Sequence, residues 1–203
     1  MHTYLRDPAA IYRLSFRMAR EETDLSGLPP RTVGLALRLV HASGRPEIVR
    51  DLVFSAGVVE RAETGLAAGA PIIADTRMTA DGIIGREAVC AIDDLSVAEA
   101  ARAGRKTRAM AAMDALADRF EGAVVAVGNA PTALFRLLEL VAGGAPRPLA
   151  VLGFPVGFVG AAESKAALVE SGLPHIALRG RFGGSALAAA AVNALLHPSE
   201  SAP

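Results

Sequence analysis

The sequence has no tryptophan, a single cysteine and no surplus of either charge. Cys90, standing alone, excludes a disulfide within the chain and any thiolate metal cluster built by one copy, and it fits intracellular thiol chemistry. The 21 basic residues balance the 21 acidic ones and aromatic residues are scarce. Neither a phosphate-tracking basic surface nor a base-stacking platform is therefore indicated, and nucleic acid is not an expected partner. Although 52% of the residues are hydrophobic, no uninterrupted apolar run approaches the ~20 residues that span a bilayer, so a soluble chain is expected. Residues 1–7 carry His2 and Arg6 without an apolar targeting core or a small-residue cleavage site, and the expected compartment is the cytoplasm. The four histidines are dispersed, and no metal site is expected. A Walker phosphate loop is absent, as is a strict Gly-x-Gly-x-x-Gly element with a later acidic ribose partner, so nucleotide binding lacks its usual mechanism.

What is present is periodic. Ile11, Leu14, Phe16 and Met18 share a segment in which Arg13 and Glu21 take other positions, predicting a helix over about 8–22. Pro29 and Pro30 suit a second helix start; Val33, Leu37 and Val40 recur at helical spacing until Ser43-Gly44 ends the pattern. His41 then falls in that helix's last turn. Residues 58–68 predict another helix, 71–75 and 88–92 predict strands, and Met110, Met113, Leu116 and Phe120 repeat as a buried helical stripe.

The second half alternates. Apolar runs at 123–127, 148–152 and 175–178 each precede a glycine-containing turn and a helix-like segment. Continuous apolar strands alternating with helices imply a parallel sheet covered on both faces, hence a single three-layer α/β/α domain with a mostly parallel sheet. The domain is expected over 1–196, with 197–203 as a flexible tail.

In such sheets ligands bind beyond the carboxyl ends of the strands. There the sequence places Gly128-Asn129-Ala130-Pro131-Thr132, a glycine-rich stretch at 153–160, and Arg179-Gly180-Arg181-Phe182-Gly183-Gly184-Ser185. Any one of these loops reads first as a tight strand-to-helix turn, but three together on one edge reverse that preference and suggest backbone amides gathered around an anionic ligand. A helix C-terminus favours imidazolium at His41, as a general acid requires, while Arg38 one turn earlier opposes it. Taken alone, His41 reads first as a capping or core residue.

Longer motifs narrow these options. Tyr-Arg-Leu-Ser-Phe at 12–16, Arg-Leu-Val-His-Ala-Ser-Gly at 38–44, Gly-Asn-Ala-Pro-Thr-Ala-Leu at 128–134, Gly-Phe-Pro-Val-Gly-Phe-Val-Gly-Ala-Ala-Glu-Ser-Lys at 153–165 and Arg-Gly-Arg-Phe-Gly-Gly-Ser-Ala at 179–186 together resemble the precorrin-8X methylmutases, in one order over nearly the whole chain. The resemblance implies an isomerase of cobalamin (corrin ring) biosynthesis. Its reaction is a 1,5-sigmatropic methyl shift from C11 to C12 that converts precorrin-8X, or its cobalt-containing equivalent, into hydrogenobyrinate or the matching cobalt compound. It further implies no external cofactor, a homodimer with active sites at the subunit boundary, and His41 as proton donor to the tetrapyrrole. Ser15, Arg38, Arg108, Asn129, Arg181, Gly183, Gly184 and Ser185 are the implied substrate-binding positions, with Phe154 and Phe158 available to the macrocycle face. Arg45 and Ile84 depart from the family pattern. A noncatalytic corrinoid carrier is the alternative reading, and it needs affinity but no proton donor.

Overall fold

The structure, a computed structural model, describes residues 2–198. Helix α1 (Pro8–Glu22) starts where Asp7 accepts a hydrogen bond from the Ala10 amide at 2.7 Å and Pro8 supplies a preset φ. Its one fully buried side chain is Phe16. Helix α2 (Val33–Ser43) buries Leu35, Ala36, Leu37, Leu39 and Val40. It ends at Gly44, whose φ of 64° lies in the left-handed region that glycine enters without strain, with its amide returned to the Val40 carbonyl at 2.8 Å.

The strands are β1 (Leu52–Phe54), β2 (Ile72–Ala74), β3 (Val124–Val127), β4 (Ala150–Gly153) and β5 (His175–Leu178), in the order β1-β5-β4-β3-β2. β2 to β5 pair in parallel, and β1 closes one edge antiparallel to β5. β2 to β5 are buried on both faces, which explains their unbroken apolar runs. One face, with Val124, Ala126, Leu152 and Ile176, packs under α2, α3 (Val58–Ala67) and α9 (Ser185–Leu196). The other, with Ile73, Val125, Val151 and Ala177, packs under α5 (Leu95–Ala103), α6 (Arg108–Leu116), α7 (Pro131–Ala142) and α8 (Ala161–Glu170). Short α4 (Arg77–Asp81) follows β2. The expected three-layer, mostly parallel architecture is the one observed.

One expected strand is corrected and one unexpected strand is added. Residues 88–92 form no strand; Val89 makes a lone parallel bridge to Ile73, exchanging two hydrogen bonds with β2 at 2.8 and 2.9 Å before the chain turns at Ile92-Asp93. β1 escaped the sequence reading because three residues are too few to show a period, and pairing with β5 alone makes it a strand. The Ala-rich α9, apolar all round, is buried within the chain from Leu187 to Leu195. Among the described residues no helix is long and apolar enough to cross a membrane, and no group of three or more His, Cys, Asp or Glu gathers for a metal. The start of the expected tail is tied down: the His197 amide donates to Asn193 at 3.0 Å, and its Nε2 lies 3.5 Å from the Ile84 carbonyl. Residues 199–203 lie outside the described residues.

Candidate active site

His41 stands in the last turn of α2 because Gly44 ends the helix three residues later. Across from it, α1 presents Tyr12, Ser15 and Phe16, spaced three and four apart and so on one helical face. Ser15 Oγ lies 2.8 Å from His41 Nδ1. The Phe16 ring stacks on the imidazole with centroids 4.7 Å apart and planes 20° from parallel; Tyr12 flanks at 6.0 Å. Arg38 completes the cluster, its guanidinium carbon 5.7 Å from the Phe16 ring centre and 5.9 Å from that of Tyr12. With Nδ1 engaged by Ser15, Nε2 is the ring nitrogen left for a ligand.

The electrostatics run against the helix end. Desolvation against the aromatic face lowers the His41 pKa from its ordinary value, and the Arg38 cation lowers it further. The imidazolium favoured by the helix dipole is thus disfavoured in the ligand-free protein. A cleft of about 420 Å³ opens beside the ring between Arg38, His41, Ala42, Ile84, Ala190 and Asn193. Ile84, one of the departures from the family pattern, is 68% exposed at this mouth.

The three glycine loops do sit at the carboxyl ends of β3, β4 and β5, but the amides of the first are taken by the chain itself. Asp75, fully buried after β2, accepts the Gly128, Asn129 and Ala130 amides at 2.9, 2.8 and 2.8 Å and the Thr79 hydroxyl at 3.0 Å. The chain's own carboxylate therefore occupies the anion position ahead of α7, correcting the expectation that these amides receive the ligand's acids. Gly128 is glycine for space: a Cβ would stand 2.6 Å from Thr79 Oγ1 and 2.7 Å from Ser185 Cα. A Cβ on Gly183 would meet the Phe154 carbonyl at 2.2 Å, and the Gly184 amide donates to that same oxygen at 2.8 Å. Phe154 lies in the core, so it is not available to a macrocycle; Phe158 is 84% exposed with Arg181 over its ring at 5.4 Å.

The implied site residues divide into three groups. Ser15 and Arg38 each approach His41 on the α1/α2 side. Arg181, Gly183, Gly184 and Ser185 form the β5-to-α9 loop, and Arg45, just beyond the α2 cap, lays its guanidinium 4.6 Å over the Phe182 ring and so joins that loop to the helix carrying His41. Asn129 is exposed ahead of α7, and Arg108 opens α6, whose cap Thr107 touches Thr132 of α7 at 2.9 Å; both belong to the opposite helical layer. Three participants were missed in the sequence. Tyr12 and Phe16 were signalled by their spacing around Ser15, whereas the three backbone amides that hold Asp75 lie more than 50 residues away, beyond any local signal.

Comparison with known proteins converges on one family. A family model described as precorrin-8X methylmutase matches residues 10–198. The chain is 48% identical to the precorrin-8X methylmutase of Sinorhizobium sp over 97% of its own length and 98% of the relative's. It is 41% identical to the cobalt-precorrin-8 methylmutase of Methanothermobacter thermautotrophicus, covering 92% of this chain and 91% of that one. The precorrin-8X methylmutase structure from Thermus thermophilus superposes with a TM-score of 0.86 at 39% identity, covering 95% and 96% of the two chains. With sequence, fold and length in agreement, this chain belongs to the precorrin-8X methylmutase family of cobalamin-biosynthesis isomerases.

Proposed function

We propose that the chain catalyses the 1,5-sigmatropic shift of the C11 methyl group to C12 of precorrin-8X or cobalt-precorrin-8, with His41 as proton donor. The observation that carries this reading is the Ser15–His41–Arg38 cluster beside an open cleft: a titratable ring held at Nδ1, backed by aromatic faces and faced by a cation. A proton lent to the macrocycle withdraws electrons as the C11–CH3 bond breaks and the C12–CH3 bond forms; the proton is given up again as product forms, so the isomerisation consumes none.

The lowered pKa of His41 suits this task once substrate is bound. Desolvation, the larger cause of the depressed pKa, persists in the complex, but carboxylates of the tetrapyrrole placed near Arg38 offset the cation that adds to it, so ligand binding shifts the imidazole towards the acid form. Arg38, Arg108 and Arg181 are assigned to the acetate and propionate groups, with Asn129 and the Gly183, Gly184 and Ser185 segment at the ring edge. Residues 1–196 are taken as one catalytic unit working in the cytoplasm as a homodimer, with no cofactor beyond any cobalt the substrate carries.

The carrier alternative predicts binding without turnover. The purified chain is incubated with precorrin-8X and the visible spectrum followed. Conversion to the hydrogenobyrinate spectrum supports the proposal, and a bound but unchanged pigment supports the carrier.

A further inference from the structure

Two charged side chains are fully buried among the described residues, Asp75 and Lys165. Asp75 is surrounded by four donors, but Lys165, in α8, donates from Nζ to one acceptor, the Phe182 carbonyl at 2.8 Å. Burying an ammonium is costly, and an apolar side chain of equal length would fill the same space with less penalty. Packing alone therefore does not account for a lysine here. What it holds is the loop between β5 and α9, which is also zipped to the β4-to-α8 loop by the Gly157 amide on the Arg181 carbonyl at 3.1 Å and the Gly184 amide on the Phe154 carbonyl at 2.8 Å. From that loop the Phe182 ring reaches Arg45 and the Arg181 guanidinium reaches Phe158.

We propose that Lys165 is a positioning residue, whose ammonium grips the Phe182 carbonyl and so sets the 179–185 loop against the end of α2 for ligand binding beside His41. The proposal rests on the methylmutase reading above. The ammonium meets this loop at the Phe182 carbonyl, between Arg181 and Gly183. Lys165 thus acts through the loop and not on the reacting atoms.

Its ionisation supplies a readout that a purely structural lysine lacks. Burial pushes the Lys165 pKa down to about 8, with Asp51 ahead of β1 pulling the other way. On the elements packed against α8, Arg136 of α7 pairs with both Glu139 and Asp114, and His175 of β5 is bonded through Nδ1 to the Leu173 carbonyl; Arg181 of the held loop lies over the Phe158 ring. Above about pH 8 Lys165 becomes a neutral and weaker donor, so the grip on Phe182 slackens and KM rises. Fold stability moves oppositely. Because the unfolded lysine titrates near 10.5, removing the buried charge between about 8 and 10.5 adds stability as pH rises. A rise in KM over that range is therefore not a sign of a loosening fold.

The test compares full-length wild type with Lys165→Met by steady-state turnover of precorrin-8X across pH, alongside thermal melting. The expected result is a KM raised on the order of 10-fold at neutral pH, since a hydrogen bond to a charged group is lost. kcat should stay within about threefold, and the wild-type rise in KM above about pH 8 should vanish in the variant. If Lys165→Met does not fold, Arg45→Ala releases Phe182 from the exposed side and is expected to raise KM in the same way. Unchanged KM in a folded Lys165→Met variant, or a loss confined to kcat, overturns the proposal. A wild-type protein that neither binds nor converts precorrin-8X overturns the methylmutase reading, and the role of Lys165 falls with it.

Discussion

At the scale of single residues, the site depends on a conflict at His41 between a helix end that favours the imidazolium and an environment that opposes it. Desolvation and Arg38 prevail in the free protein, so an NMR titration should place the His41 midpoint below the ordinary value of 6.5, and Arg38→Ala should raise it. With the protonated form proposed as the catalyst, kcat/KM should fall as pH rises through that depressed midpoint, while kcat, reporting the complex, should hold to higher pH. Coincident limbs for the two would remove the claim that bound carboxylates shift the imidazole towards the acid. His41, Ser15 and Arg38 were legible because their motifs are local and contiguous. The direction of the His41 shift was not, since it depends on Phe16 lying over the ring, a contact between residues 25 apart in the sequence.

At the scale of elements, strand-to-helix turns that read as ligand-binding loops turn out to be held by the chain's own buried groups. Asp75 fixes the turn ahead of α7. Replacing it by Asn puts an amide donor among four protein donors, and Asp75→Asn should lose about 3 kcal/mol of stability or more in urea unfolding. A loss below about 0.5 kcal/mol would show that the turn organises without the carboxylate. The long helices and the three C-terminal parallel strands were legible because their periods run unbroken. β1 and the 88–92 segment were not: each is decided by an edge partner, Leu178 to Ile176 for the first and Ile73 for the second, and not by local pattern.

At the scale of the whole molecule, the two helical layers divide the candidate site. Ser15, Arg38 and His41 lie with the α9 layer, while Asn129 and Arg108 belong to the α6/α7 layer, and the β5-to-α9 loop spans the sheet edge between them. A second copy that brings its own residues to the His41 cleft is consistent with the homodimer proposed here. With α9 buried inside the chain, the exposed apolar residues of α1, Ile11, Tyr12 and Met18, are better placed to meet it. Light scattering should give twice the 20.9 kDa chain mass at working concentrations, and Ile11→Asp with Met18→Asp should shift it to monomer. A monomer mass for the unmodified chain would withdraw the dimer. The most direct test of the central claim is single-turnover conversion of precorrin-8X by His41→Asn, which keeps polarity and approximate size but has no proton to lend. The account predicts ligand binding within a few-fold of wild type and a methyl shift slowed by about 10²–10⁴-fold; a shift at near-wild-type rate would contradict it and leave His41 a structural residue.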